Sequence, residues 1–244
     1  MEKAIQTNNL TKEYNGLIAV DSLNLSIEEG ELFALLGVNG AGKTTTMKML
    51  SCLEKPTKGE AWILGNSILS ESQKVKEVIS VSPQETAVAP NLTVKENLEF
   101  MCGIYGLEKE ETRQKTEKII KDFELEEIVK KRAKLLSGGW QRRLSIAMAL
   151  ITEPLVLFLD EPTLGLDVIA RRELWKSIIK LKGKVTVILT THYLEEAEKL
   201  SDQIGIMSKG KLVATGTAED FIKKTGKSNF EDAFVALYER GAIK

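Results

Sequence analysis

The segment Gly37-Val38-Asn39-Gly40-Ala41-Gly42-Lys43-Thr44 keeps the spacing GxxxxGK[ST]. It lies between an apolar run, Leu32–Leu36, and a stretch that carries Met47 and Leu50 at helical spacing. A glycine-rich turn in that setting lets successive backbone N–H groups converge on one point, and the helix that follows adds the partial positive charge of its N-terminus. Both favour a phosphate. Lys43 is then within reach of β- and γ-phosphates, and the Thr44 hydroxyl can ligate Mg²⁺. The turn also constrains the fold. A short, continuously apolar strand ending in such a loop suits the inside of a parallel sheet covered on both faces. The alternative is a plain glycine turn capping a helix, which the strand-before and helix-after context disfavours.

A second strand supports the same sheet. Leu155–Leu159 is apolar throughout and ends at Asp160-Glu161. In open α/β sheets ligands gather at the carboxyl ends of strands. Asp160 is positioned there to hold Mg²⁺, and Glu161 to orient and polarise an attacking water. A helical pattern (Val168–Leu181) and a third strand (Val185–Thr190) follow, so the strand–helix–strand order predicts right-handed crossovers. Leu23, Leu25 and Ile27 alternate with polar residues and predict a half-buried strand, with Asn15-Gly16 as a hairpin turn before it. Between about Thr93 and Leu150 the chain turns rich in Glu, Lys, Leu and Ile at helical spacing. This predicts a helical insert in which Glu110–Lys121 is a charged surface helix burying Ile119 and Ile120. Short strands at Gln203–Met207 and Lys211–Ala214, joined by Lys209-Gly210, precede a tail helix over Phe230–Arg240 that turns Phe230, Phe234 and Leu237 to one side. The phosphate loop and the strand ending in Asp160-Glu161 together resemble a P-loop NTPase.

Leu136-Ser137-Gly138-Gly139-Trp140-Gln141, ahead of a helix over Arg142–Leu150, narrows the class. A Ser hydroxyl and unhindered glycine N–H groups at a helix N-terminus make a second phosphate-binding element; a serine-capped helix is the plainer reading. With these strings in this order, the chain resembles the ABC ATPase family over roughly residues 6–216. The resemblance implies an α/β fold: a RecA-like parallel sheet core with an N-terminal antiparallel β subdomain and an inserted α-helical subdomain. The expected division is 1–84 and 155–216 for the β-rich core, 85–154 for the helical part and 217–244 for a short helical tail.

The resemblance also implies roles. Tyr14 matches the aromatic that stacks on adenine, and Gly37, Asn39, Gly40, Ala41, Gly42, Lys43, Thr44 and Thr45 match the ATP-binding loop. Gln84, in Ser82-Pro83-Gln84, matches the glutamine linking Mg²⁺ and water to the helical part, beside Thr44 and Asp160 as metal-binding residues. Glu161, His192, Gln84 and Lys43 match the catalytic set. Ser137, Gly138, Gly139, Gln141 and Asp167, the last in Gly165-Leu166-Asp167, match the elements that contact ATP held by an opposite subunit. ATP and Mg²⁺ are therefore the expected ligands, and a head-to-tail homodimer the expected assembly. The chain departs from the family pattern at Val38, Trp140 and Leu164; none of these removes a group with chemistry.

Lys plus Arg number 34 and Asp plus Glu 35, so no general attraction to nucleic acid is expected. Two cysteines, Cys52 and Cys102, lack metal-ligand spacing and read as buried thiols in a reducing compartment. The first residues lack an apolar signal segment, and no apolar run reaches the roughly 20 residues of a membrane span. The expected location is therefore cytoplasmic, on the inner membrane face through a partner. Gly40–Met47, Asn91–Leu98, Arg171–Trp175 and Asn229–Leu237 resemble ATPase subunits of ABC-2-type exporters of the drug, sodium and bacteriocin-immunity group. That points to export through a separate membrane-spanning chain. An importer subunit or a soluble ABC switch is the alternative, although no coiled-coil heptads and no tandem copy are present. No NKxD string supports a GTPase.

Overall fold

A computed structural model describes residues 2–243. The chain first builds an antiparallel sheet from β1 (Lys3–Tyr14), β2 (Leu17–Leu23) and β3 (Ser26–Glu28). The β1–β2 turn is Asn15-Gly16, both at positive φ, as the Asn-Gly pair predicts. The predicted Leu23–Ile27 strand is broken instead of continuous. The Thr7 hydroxyl donates to Leu23 O and accepts from Leu25 N–H, each at 2.8 Å, which takes both groups out of the ladder. Leu23, Leu25 and Ile27 nonetheless stay buried.

Next come β4 (Leu32–Leu36), α1 (Lys43–Leu50), β5 (Lys58–Ile63), β6 (Asn66–Ser67), α2 (Ser72–Val78) and β7 (Ile79–Ser82). β5 and β6 complete the antiparallel sheet in the order β2-β1-β5-β6, with β3 also on β1. The helical insert is α3 (Val94–Ile104), α4 (Lys109–Asp122) and α5 (Gly138–Leu150). A reciprocal cap between Thr93 and Glu96 starts α3. On α4 Ile119 is buried and Ile120 only partly so.

β8 (Val156–Asp160), α6 (Val168–Ile179), β9 (Thr186–Thr191), α7 (Leu194–Leu200), β10 (Gln203–Ser208) and β11 (Lys211–Gly216) follow, then α8 (Ala218–Thr225) and α9 (Phe230–Ile243). Leu155 stands outside β8 and is exposed. The main sheet runs β11-β10-β4-β9-β8-β7, parallel except for the β10–β11 hairpin.

Side-chain alternation on this sheet divides the core. Leu32, Ala34, Leu36, Leu157, Leu159, Val187 and Leu189 point into a cluster shared with the insert helices. Their neighbours Phe33, Leu35, Val156, Phe158 and Ile188 point the other way, into a cluster shared with α1 and the antiparallel sheet. With period-two side chains, both faces must be apolar for β4, β8 and β9 to be buried throughout, and they are. Cutting Phe158 to alanine would open a cavity costing about 3–5 kcal/mol. Cys102 is buried as expected, but Cys52, at positive φ after α1, is only half-buried.

Candidate nucleotide site

Because β4, β7, β8 and β9 are parallel and adjacent, their carboxyl ends open on one edge of the sheet. The loops there are stitched together. Gly37 N–H donates to Thr191 O at 3.2 Å, and Glu161 N–H to Thr190 O at 3.2 Å. The phosphate loop wraps the start of α1, whose N-cap, Gly42, has φ 101°. A side chain there would put Cβ 2.5 Å from Ala19 O, so only glycine fits. No side chain caps α1, which leaves its first-turn N–H groups facing the depression. Lys43 is buried, with Nζ donating to Gly37 O at 2.8 Å and Val38 O at 3.3 Å and lying 3.2 Å from Glu161 Oε1.

Glu161 takes φ 46°, a left-handed conformation that costs a non-glycine residue about 1–3 kcal/mol. Its carboxylate is buried between Lys43 and His192, whose Nδ1–H donates to Oε2 at 2.8 Å. A carboxylate can only accept, so this contact selects the Nδ1–H tautomer. Asp160 Oδ1 accepts from the Thr44 hydroxyl at 3.2 Å and from the Thr190 hydroxyl.

Tyr14, Asn39–Thr45, Gln84, Glu161 and His192 line one open depression of about 780 Å³. Tyr14 is exposed at its rim instead of sitting in the core. Of the expected nucleotide-loop and catalytic residues, all but Gly37 line the depression. Sequence reasoning missed part of the wall: Leu17 and Ile18 of β2 are exposed apolar residues beside Tyr14, and Gly210 packs against Ala19 of the same strand.

The signature residues are elsewhere. α5 begins at Gly138, one turn earlier than the sequence suggests, with Ser137 at the N-cap position but its hydroxyl not used as a cap. Ser137, Gly139, Trp140 and Asp167 line a second depression of about 650 Å³ that shares no residue with the first. The Gln141 amide turns back on the loop and donates to Ala133 O and Leu136 O. Asp167 caps α6 through Ile169 N–H and Ala170 N–H, both at 2.9 Å. Trp140 lies under the Arg143 guanidinium, 4.8 Å from ring centre to Cζ.

The donors near Asp160 suit a hard cation with few protein ligands. Thr44 and Asp160 supply a hydroxyl and a carboxylate side by side, and Thr44 shares the depression with Gln84, while Asp160 lies behind it. Among the described residues no three His, Cys, Asp or Glu side chains converge as a metal cage. Mg²⁺ that arrives with phosphates and water needs no such cage.

The family pattern described as "ABC transporter" matches residues 20–164. The chain is 39% identical over 97% of its length to the probable multidrug ABC transporter ATP-binding protein YbhF of Escherichia coli (strain K12), of which it spans 42%. It is 37% identical over 99% of its length to the daunorubicin resistance ATP-binding protein DrrA3 of Streptomyces coeruleorubidus, spanning 76% of that protein. Among solved structures, the dimeric ATP-binding cassette MJ0796 bound to ADP and Pi is similar with a TM-score of 0.77 and 28% identity, covering 87% of this chain and 98% of that one.

Proposed function

The chain belongs to the ABC transporter family, and from that premise we propose that it is the ATP-binding and ATP-hydrolysing subunit of an exporter whose membrane-spanning part is a separate polypeptide. The observation that carries this reading is the separation of two complementary half-sites on one chain. The nucleotide depression and the signature depression have no lining residue in common. A chain built this way completes a site by meeting a second copy head to tail, which the two-fold symmetry of a dimer allows twice. The exporter branch rests on the multidrug transporter and daunorubicin resistance ATP-binding proteins it resembles.

In this reading Tyr14 stacks on the adenine, while the loop Gly37–Thr45 and Lys43 hold the phosphates. Thr44, Asp160 and Gln84 would hold Mg²⁺, which would neutralise charge developing on the phosphate oxygens. Glu161 accepts a proton from the attacking water, and His192 fixes the carboxylate's orientation through Oε2. Ser137, Gly138 and Gly139 of the second copy meet the γ-phosphate from the other side, with Gln141 and Asp167 shaping that surface from behind. Once the γ-phosphate is cleaved that bridge is lost and the two copies separate, a shift driven by differential affinity.

Beside Gln84, a groove of about 380 Å³ runs between the main sheet and the insert, lined among others by Leu53, Val81, Met101 and Tyr105. Leu53 and Tyr105 are exposed along it, and Phe100 and Ile104 are exposed on α3. This surface suits a cytoplasmic helix of the membrane partner. No helix among the described residues is long and apolar enough to cross a membrane. The proposed location is the cytoplasmic membrane face, with residues 1–84, 85–154, 155–216 and 217–244 divided as the sequence suggests.

The test is a tagged pull-down from detergent-solubilised host membranes. Recovery of a polytopic partner of exporter topology, with ATPase activity rising on its addition, is the expected result. A partner of importer topology would overturn the direction of transport. Recovery of soluble proteins alone would leave a soluble switch.

A further inference from the structure

Arg142 lies in the first turns of α5, directly after the signature residues, and is almost wholly buried. Its planar fork is spent on backbone carbonyls of two different loops. Nε donates to Pro162 O at 2.9 Å and one terminal nitrogen donates to Asp160 O at 2.7 Å. The other terminal nitrogen donates to Pro83 O and, at 3.4 Å, to Gln84 O. The first pair of acceptors flanks Glu161; the second carries Gln84. Among the described residues no carboxylate oxygen accepts from the guanidinium. Burial pulls it down to about 10, with Asp160 and Glu196 opposing, so it remains a cation at neutral pH.

An arginine used this way is a geometric device. Its donors lie in one rigid plane, so carbonyls bonded along its edges are fixed relative to one another. The two loops come from the ends of β7 and β8 and are separated in sequence by the whole helical insert. Ser137–Gly139 and Arg142 belong to the same loop-and-helix start, so displacement of one moves the other.

Resting on the function proposed above, we infer that Arg142 is a positioning residue that holds the Gln84 loop and the Asp160–Pro162 loop in one register. Through it the signature helix of a chain sets the geometry of that chain's own hydrolytic residues. Engagement of Ser137–Gly139 by nucleotide on a second copy is thereby felt at Gln84 and Glu161 of the first chain. Lysine cannot replace it, because one ammonium on a flexible stem cannot hold carbonyls on both sides in a plane.

Arg142→Gln and Arg142→Lys, purified as the full chain, test this. The expected result is kcat lower by about 10- to 100-fold, the cost of misplacing catalytic groups by a fraction of an ångström to an ångström. ATP affinity and KM stay within about threefold, since the phosphate loop and Tyr14 are untouched. The lysine variant, which keeps the charge, is expected to show the same split and also guards against a glutamine variant that does not fold. Hydrogen exchange supplies a readout that does not depend on turnover. Amides of residues 84–89 and 161–166 should exchange faster together, with α1 unchanged. Full kcat in a folded variant, rescue by lysine, faster exchange in one loop alone, or a uniform rise across the chain would each overturn the inference. If the unsubstituted chain neither binds nor hydrolyses ATP, the functional reading fails, and the paired exchange of the two loops still decides whether Arg142 joins them.

Discussion

His192 Nδ1 lies 2.8 Å from Glu161 Oε2, and the other oxygen of the same carboxylate lies 3.2 Å from Lys43 Nζ. One buried carboxylate is thus held between a cation on the phosphate loop and an imidazole on the end of β9. Lys43 is drawn toward bound phosphates in the proposed function, so His192 remains to orient the base. Glu161→Gln should keep ATP binding and lose hydrolysis by about 10²–10⁴-fold, the usual contribution of a general base. His192→Ala should lower kcat with little change in ATP affinity. Steady-state ATPase rates beside equilibrium nucleotide binding check both. Near-normal turnover in Glu161→Gln would show that another group takes the proton.

Glu196 makes a different prediction, about stability against pH. It is fully buried on α7, and its Oε1 accepts from Trp175 Nε1 at 3.0 Å. Burial pushes its carboxyl above the ordinary carboxylate range, with the Thr191 and Thr163 hydroxyls and the Trp175 indole pulling it back and the Glu161 charge adding to the rise. The folded chain therefore holds this proton more tightly than the unfolded chain does. In acid, with both states protonated, Glu196 carries no ionisation cost. As pH rises from the ordinary carboxylate value, near 4.3, through the higher folded value, stability is lost, and the loss stands in full above that point. Glu196→Gln keeps an acceptor for Trp175 and does not titrate. Its stability relative to the unsubstituted chain should therefore improve between acid and neutral pH. Urea unfolding at a series of pH values measures this. A difference that does not change with pH would mean that Glu196 holds its proton no more tightly in the folded chain than in the unfolded one.

What was legible in the sequence was local. Leu32–Leu36 and the phosphate loop carry their structure in consecutive residues, and β4 and α1 form where expected. The parts of the nucleotide depression around Glu161 and His192 were legible for the same reason: each follows a strand whose apolar run announces it, whereas Leu17, Ile18 and Gln84 do not. Elements without such a run were not. The short α2, β6 and α7 carry weak periodicity, and β1 owes its position to pairing with β5 across more than forty residues. Arg142 was least legible of all. Trp140-Gln141-Arg142-Arg143 reads as a charged, solvated first turn, yet both arginines are buried. Their hydrogen-bond acceptors, among them Pro83 O and Pro162 O for Arg142 and Phe123 O for Arg143, are backbone atoms far along the chain that leave no trace in side-chain pattern.

The two signature glycines differ in a way that separates packing from function. A Cβ on Gly139 would stand 2.9 Å from the Ala170 Cβ at the start of α6, whereas one on Gly138 meets nothing nearer than Leu166 Cδ2 at 4.0 Å. Gly139→Ala must push α5 and α6 apart, an overpacking cost of about 1–3 kcal/mol. At this chain length that lowers Tm by about 2–4 °C for each kcal/mol. Gly138→Ala fits, and alanine is the better helix former, so Tm should hold or rise slightly. If the open backbone at Gly138 exists to let a phosphate on a second copy approach, that methyl group should still weaken ATP-dependent dimerisation and hydrolysis. Thermal unfolding, beside light scattering with ATP in the Glu161→Gln background, separates the two effects. Normal dimerisation by the Gly138→Ala chain would mean that no nucleotide comes close to that face.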